Sequence, residues 1–151
     1  MARIEIGIAS VSDRMWAADV MAGSDPWVTL GRTRESCRRV CANPEYPMYV
    51  ARVDGRPVGF ALVTPRGVVG SPYLATLAVA AEHRGKGIGG RLVRYVEEAY
   101  RGEAAHLFIC VSSFNLRAQE FYRRLGYRQV GELPDYFIAG ASELLLHKRI
   151  G

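Results

Sequence analysis

No run of about 18 apolar residues occurs in the 151-residue chain, so none of its helices is expected to span a membrane. The first residues, Met1-Ala2-Arg3-Ile4-Glu5, lack the apolar stretch and small-residue cleavage site of a secretory leader. A cytoplasmic location is therefore the expectation. Cysteine is sparse. Cys37, Cys41 and Cys110 are an odd number in a chain without an export signal, and free thiols are the expected state. Cys37 and Cys41 would share a helix face, but no histidine or further cysteine stands nearby to complete a metal site, so no metal is called for. Internal repeats and low-complexity segments are lacking too. Nor does charge of one sign accumulate: 20 Lys+Arg against 15 Asp+Glu leave +5, scattered except at 32–39 and 84–94. That balance suits an anionic ligand, a nucleic acid or plain solubility. A basic stripe interleaved with aromatics on one element, which would favour nucleic acid, is missing.

What remains is an ordinary globular composition, 49% apolar and 23% charged, at a length suited to one domain over residues 1–151. A domain of this size buries roughly 68–70% of its unfolded surface and needs no disulfide or metal to hold it. Ile4-Glu5-Ile6-Gly7-Ile8 alternates as a strand. Ser12-Asp13 offers a helix start, with helix to about Met21, and a second helix is expected over 33–41. Two apolar strands, 46–53 and 57–63, flank the turn pair Asp54-Gly55. A loop over 65–72 precedes another apolar strand at 73–80. The next helix carries Ile88, Leu92, Val96 and Ala99 at helical spacing and stops by Gly102. A short strand at 107–111 leads to a helix marked by Ala118, Phe121, Tyr122 and Leu125 and ended by Gly126. Strands at 127–130 and 143–148 complete an α/β fold on a single mixed, mostly antiparallel sheet of about seven strands flanked by about four helices.

The most informative segment joins a buried strand to an amphipathic helix: Arg84-Gly85-Lys86-Gly87-Ile88-Gly89-Gly90. A helix start leaves N–H groups without intrahelical partners and adds partial positive charge. Glycines remove the Cβ atoms that would hold an anion away from those donors, and Arg84 and Lys86 add full charges. Phosphate, most simply a pyrophosphate spanning several amides, is the expected ligand. The bland alternative is a solvated turn. A nucleoside-triphosphate loop fails, because Lys86 is followed by Gly87 rather than by a hydroxyl. Gly85-x-Gly87-x-x-Gly90 does fit the dinucleotide pattern, leaving an NAD(P)-binding protein as a rival. Against it, polar residues separate strand from first glycine, and Val111-Ser112-Ser113 offers no acid for a ribose.

Arg84-Gly85-Lys86-Gly87-Ile88-Gly89 also resembles the Arg/Gln-x-x-Gly-x-Gly/Ala signature of the GCN5-related N-acetyltransferase (GNAT) superfamily, and Asn115, Tyr122 and Leu125-Gly126-Tyr127 follow as that family has them. The resemblance runs over about 46–148. It implies an acetyl-CoA-dependent N-acetyltransferase in which two central strands, 73–79 and 107–111, are splayed. The amides of Arg84, Gly85, Lys86, Gly87, Ile88 and Gly89, with Gly90 behind them, would hold the pyrophosphate. Leu77, Ala78 and Val79 would pair with the pantetheine arm like another strand, and an amide near Val79 could polarise the thioester carbonyl. Asn115 would touch the cofactor, or serve only as a helix cap.

Tyr122 would be the catalytic proton donor to the departing thiolate, against the alternative of a core aromatic beside Phe121. The base is open. Members that acetylate protein N-termini carry a glutamate twelve residues before the tyrosine, where this chain has Cys110, read here as a packing residue. Glu82, His106, Asp135 and Glu143 are candidates, and deprotonation through ordered water is the alternative to all of them. The acceptor would be an amine, on a small molecule or a peptide, with no nucleic acid and no membrane, and a homodimer is compatible with the resemblance. Asp25-Pro26-Trp27 and Asp135-Tyr136-Phe137 could receive a cationic amine, or be a turn and core aromatics. A non-catalytic acyl-CoA-binding module would keep the loop and dispense with the chemistry.

Overall fold

The computed structural model describes residues 3–151; Met1 and Ala2, part of the leader argument, lie outside them. In chain order the elements are β1 (Ile4–Ile8), α1 (Val11–Ala22), α2 (Arg34–Ala42), β2 (Met48–Val53), β3 (Arg56–Val68), β4 (Ser71–Val79), α3 (Ile88–Tyr100), β5 (His106–Ser112), α4 (Leu116–Arg124), β6 (Arg128–Leu133) and β7 (Glu143–Arg149). A short 3-10 turn at Ala81–His83 precedes α3. The strands form one sheet in the order β1-β2-β3-β4-β5-β7-β6, antiparallel except between β4 and β5. Among the described residues no helix is long and apolar enough to cross a membrane.

Local chemistry sets the boundaries. Helix α1 starts earlier than Ser12 because Ser10 closes a capping box: its hydroxyl accepts from Asp13 N (3.1 Å) and the Asp13 carboxylate accepts from Ser10 N (2.8 Å). Thr33 caps α2 in the same way, accepting from Ser36 N at 3.0 Å. Asp54 and Gly55 both take positive φ, as the tight turn between β2 and β3 requires. The loop expected over 65–72 is instead strand on both sides of a turn at Val69-Gly70. Pro65 and Gly67 fall where the β3–β4 register jumps from Thr64 to Val68, so the proline interrupts no ladder bond.

Two cores hold the layers. On one face α1 and α2 press Ala17, Met21, Cys37 and Cys41 onto Met48, Phe60 and Leu62. The cysteines are unpaired thiols, and burial pushes the Cys41 thiol up to about 11, so it stays protonated. On the other face α3 and α4 cover Val58, Ala61, Val63, Leu107 and Ile109. Ile88, Leu92 and Val96 are buried as expected; Ala99 lies at the edge of that stripe and is exposed, and Tyr100 closes it instead.

One feature of the sheet positions the site. Parallel pairing between β4 and β5 is confined to Tyr73 with Phe108 and Leu74 with Ile109. Past those pairs the strands separate, and the rest of β4 has its β5-facing edge free.

Candidate active site

The parting of β4 from β5 opens a groove of about 700 Å³. Leu77, Ala78 and Val79 form its strand wall, Arg84, Gly85 and Gly87–Gly90 its end, and Asn115, Arg117, Ala118, Phe121 and Tyr122 its helix wall. Gly85 and Gly87 take φ of 76° and 82°, and Gly87 is the cap of α3 without a side-chain bond of its own. The amides of Ile88, Gly89 and Gly90 precede the first in-helix bond, from Arg91 N to Gly87 O, and so have no intrahelical partner. No acid stands in the first turn to neutralise them. A Cβ on Gly89 would come within 3.3 Å of Phe121 Cζ, so glycine there lets α4 close against α3. The end of the groove is thus a set of free donors on an electropositive helix start, shaped for an anion.

A second cavity of about 350 Å³ lies on the other side of the gap, walled by Met21, Trp27, Leu30, Tyr46, Tyr73 and Phe137. Asp25, Arg32 and Glu143 are the charged residues that line it. Asp25, Leu77, Asn115, Ala118 and Tyr122 line both spaces. Tyr122 therefore stands where the two meet. Its ring is buried edge-on against Phe121 and Tyr127, with centroids at 5.0 and 6.0 Å. Its hydroxyl bonds no described residue, and the residue lines both spaces. Burial raises its pKa above the ordinary phenol value, and the proton is held throughout the physiological range.

The architecture and the residues are shared with proteins of known family. A model of the acetyltransferase (GNAT) family matches residues 10–127. The chain belongs to this family. The match takes in α1 and α2, which the glycine signature does not reach, and stops before β6. An uncharacterized N-acetyltransferase of Methanocaldococcus jannaschii is 37% identical over 108 residues, covering 69% of this chain and 68% of that one. The N-alpha-acetyltransferase RimI of Mycobacterium tuberculosis is 29% identical over 156 residues, covering 98% and 94%. A GNAT-family acetyltransferase structure from Elizabethkingia anophelis, with acetyl-CoA bound, superposes with a TM-score of 0.79 at 18% identity, covering 97% of each chain. That last likeness concerns the fold. Family membership sets aside the dinucleotide reading: β4, α3 and β5 do form a right kind of strand–helix–strand unit, which is why the glycine spacing fits both patterns.

Within this acetyltransferase the residues expected along the cofactor line the groove, with one departure. Lys86 is exposed and does not line it. The cation that does, besides Arg84, is Arg117 in the first turn of α4, which the sequence reading missed although it follows the Asn115 cap by only two positions. Arg84 turns inward: Nε donates to Val79 O (3.0 Å) and a terminal nitrogen to Ser24 Oγ (3.3 Å). Asn115 is a cap, accepting from Ala118 N at 3.1 Å, and also faces both spaces.

The acceptor-side expectations separate more sharply. Asp25, Pro26 and Trp27 line the cavity, with the Asp25 carboxylate held by Thr29 through its amide (3.0 Å) and hydroxyl (2.6 Å) and its pKa lowered by those bonds. Asp135 is exposed and accepts from Gly140 N, and Tyr136 and Phe137 meet edge to face at the surface instead of entering the core. Of the three only Phe137 reaches the cavity. Cys110 lines it beside Tyr73, and burial pushes its thiol up, which suits a neutral wall and not a nucleophile. Among the described residues no cluster of histidine, cysteine and carboxylate side chains is placed to hold a metal.

Proposed function

We propose that this protein moves the acetyl group of acetyl-CoA to a primary amine by direct attack of the amine on the thioester, with Tyr122 donating to the departing sulfur. The observation that carries this reading is that Tyr122 lines both the groove and the second cavity, with a hydroxyl that no described residue bonds. The diphosphate of CoA meets the free amides of Ile88 to Gly90, with Arg84 and Arg117 adding charge. Its pantetheine arm lies in the gap as an extra strand. Ala78 is paired back onto Phe60 of β3 and the Val79 carbonyl is taken by Arg84, so pairing falls on Leu77 and the Val79 amide. The thioester then sits at the point where β4 and β5 part, with the amine opposite.

A phenol held above its ordinary pKa is a poor source for complete transfer to an alkyl thiolate titrating near about 8.5. Its first contribution is a hydrogen bond that strengthens as negative charge grows on sulfur, and the proton follows as the tetrahedral species collapses. The cavity, small and largely apolar, receives a compact amine or the first residue of a peptide, and the pair of acids among its charged residues suits a cation less strongly than an acid-lined trough would. The test is thiol release from acetyl-CoA with a panel of monoamines, diamines and peptides with free N-termini. Saturable release with at least one member, together with stabilisation of the fold by CoA but not by NAD, is expected; no release with any of them removes the reading.

A further inference from the structure

We propose that Glu143 is the general base of the transfer and that Ser112 positions its carboxylate. This rests on the reading just given of Tyr122 and the thioester. Of the residues that could take the proton, Glu82 sits on the exposed turn before α3, Asp135 is tied to Gly140 N, and His106 stands at the far end of β5 against Phe108 and His147. None of the three lines the acceptor cavity, and Glu143 does.

Glu143 opens β7 directly opposite Ser112 on β5, so the two side chains share a face of the sheet. The Ser112 hydroxyl donates to Glu143 Oε2 at 2.6 Å. No described residue bonds Oε1. Glu143 is only 7% exposed and lines the cavity, and Oε1 is not sealed from solvent. One oxygen is fixed and the other is presented. Burial raises the carboxyl above its ordinary value and the Ser112 bond partly offsets this, which moves the group toward the range useful to a base at neutral pH.

The neighbours leave it room to act. Cys110 from β5, Tyr73 from β4 and Tyr122 from α4 face the cavity as neutral groups. Asp25 and Arg32, from the segment between α1 and α2, bring opposite charges. Asp25 keeps a depressed pKa through Thr29, which makes it the weaker base. From β6, Leu133 lies opposite Glu143, while the Glu132 carboxylate is exposed and accepts from Ser142.

The Glu143 carboxylate takes one proton from the substrate ammonium, leaving a neutral amine. Its nitrogen lone pair forms the C–N bond at the thioester carbon while the carbonyl pair moves to oxygen. Collapse restores the carbonyl and breaks the C–S bond, with the electron pair leaving on sulfur. Tyr122 protonates that sulfur and regains a proton from the amide nitrogen, and Glu143 releases its own to solvent. The products are the acetamide, CoA thiol and one proton.

The test is the pH profile of kcat/KM with acetyl-CoA and the best amine of the panel, on wild type, Glu143→Gln and Ser112→Ala, with CoA affinity measured on each. Wild type should rise with pH through a midpoint above the usual carboxylate range and then level. Glu143→Gln should bind CoA as wild type does, turn over about 10²–10⁴-fold slower at neutral pH, and lose that limb. Its rate should climb about tenfold per pH unit and approach wild type where the amine is already neutral, since a tenfold gain in free amine accompanies each unit. Ser112→Ala should keep the limb and move it to higher pH, because the bond that lowers the carboxyl is gone. Two results overturn the proposal: a Glu143→Gln enzyme that keeps the limb and nearly all its rate, or one that is uniformly slow without convergence at high pH. If wild type itself releases no thiol with any amine, the parent reading fails and takes this one with it.

Discussion

The groove proposed for the cofactor and the cavity proposed for the acceptor meet at Tyr122 but are made of different materials. The groove is mostly backbone: an unpaired strand edge at Leu77–Val79, two left-handed glycines, and the free amides that open α3. The cavity is mostly side chains, gathered from the α1–α2 connection, β4, the end of β5, the β6–β7 connection and the start of β7. A site built of backbone depends on φ and ψ and tolerates changes of side chain; a site built of side chains depends on their identity. Substitutions at the two should therefore fail in different ways.

The largest effect is expected where the comparison should break. Tyr122 belongs to both spaces, so Tyr122→Phe should lower kcat by about 10²–10⁴-fold, the usual weight of a positioned acid, while the ring contacts to Phe121 and Tyr127 keep the fold. CoA affinity, read by calorimetry, should stay within about threefold, as the phenol contributes at most one ordinary hydrogen bond to the ground state. A parallel loss of CoA binding would make Tyr122 a wall of the groove and no more.

Next in size is a change confined to the backbone side. At Gly87 nothing lies within 4 Å of an added Cβ, so Gly87→Val meets no clash, only the cost of a β-branched residue at φ 82°. That cost is roughly 2 kcal/mol, a factor of about 30. If the loop keeps its shape, the loss appears as a lower unfolding midpoint; if it relaxes, the amides lose their aim and CoA affinity falls by a similar factor. The acceptor KM should not move in either case.

The same contrast decides what the sequence could tell. Gly85, Gly87 and the helix behind them are adjacent in the chain, so spacing alone pointed to an anion site, and the alternating or helical periods of the core segments indicated the element order. Charge next to the glycines says nothing about direction: Lys86, between the left-handed Gly85 and Gly87, is exposed and does not line the groove. Glu143 could not be ranked above Glu82 or Asp135, because its value comes from a partner on another strand. Ser112 stands opposite it only through the β5–β7 register, which no local pattern encodes. Pro65 and Pro72 hid the ends of a hairpin for a related reason: whether a proline interrupts a strand depends on whether its position is paired.

The smallest effect sharpens the comparison most, because it concerns a side chain that hydrogen-bonds from one region toward the other. Arg84 lies in the glycine loop, yet its guanidinium holds Val79 O on the strand and Ser24 Oγ at the entry to the acceptor segment. Ser24 is itself buried and donates to Val20 O at 2.6 Å, so its hydroxyl is a fixed point between the end of α1 and Asp25. Arg84 is exposed, and each of its bonds is worth about 0.5–1.5 kcal/mol at most, or roughly two- to twelvefold in an equilibrium constant. Arg84→Ala should weaken CoA by about three- to tenfold and raise the acceptor KM by about two- to threefold, whereas Ser24→Ala should affect the acceptor alone. In the double variant the acceptor effects should fall short of additive, since both changes remove the same bond. Additive effects would mean that the loop and the acceptor segment are independent and that Tyr122 alone joins them. Shared effects would mean that filling the groove also sets the wall of the cavity, so that the backbone-built half of the site helps to form the other.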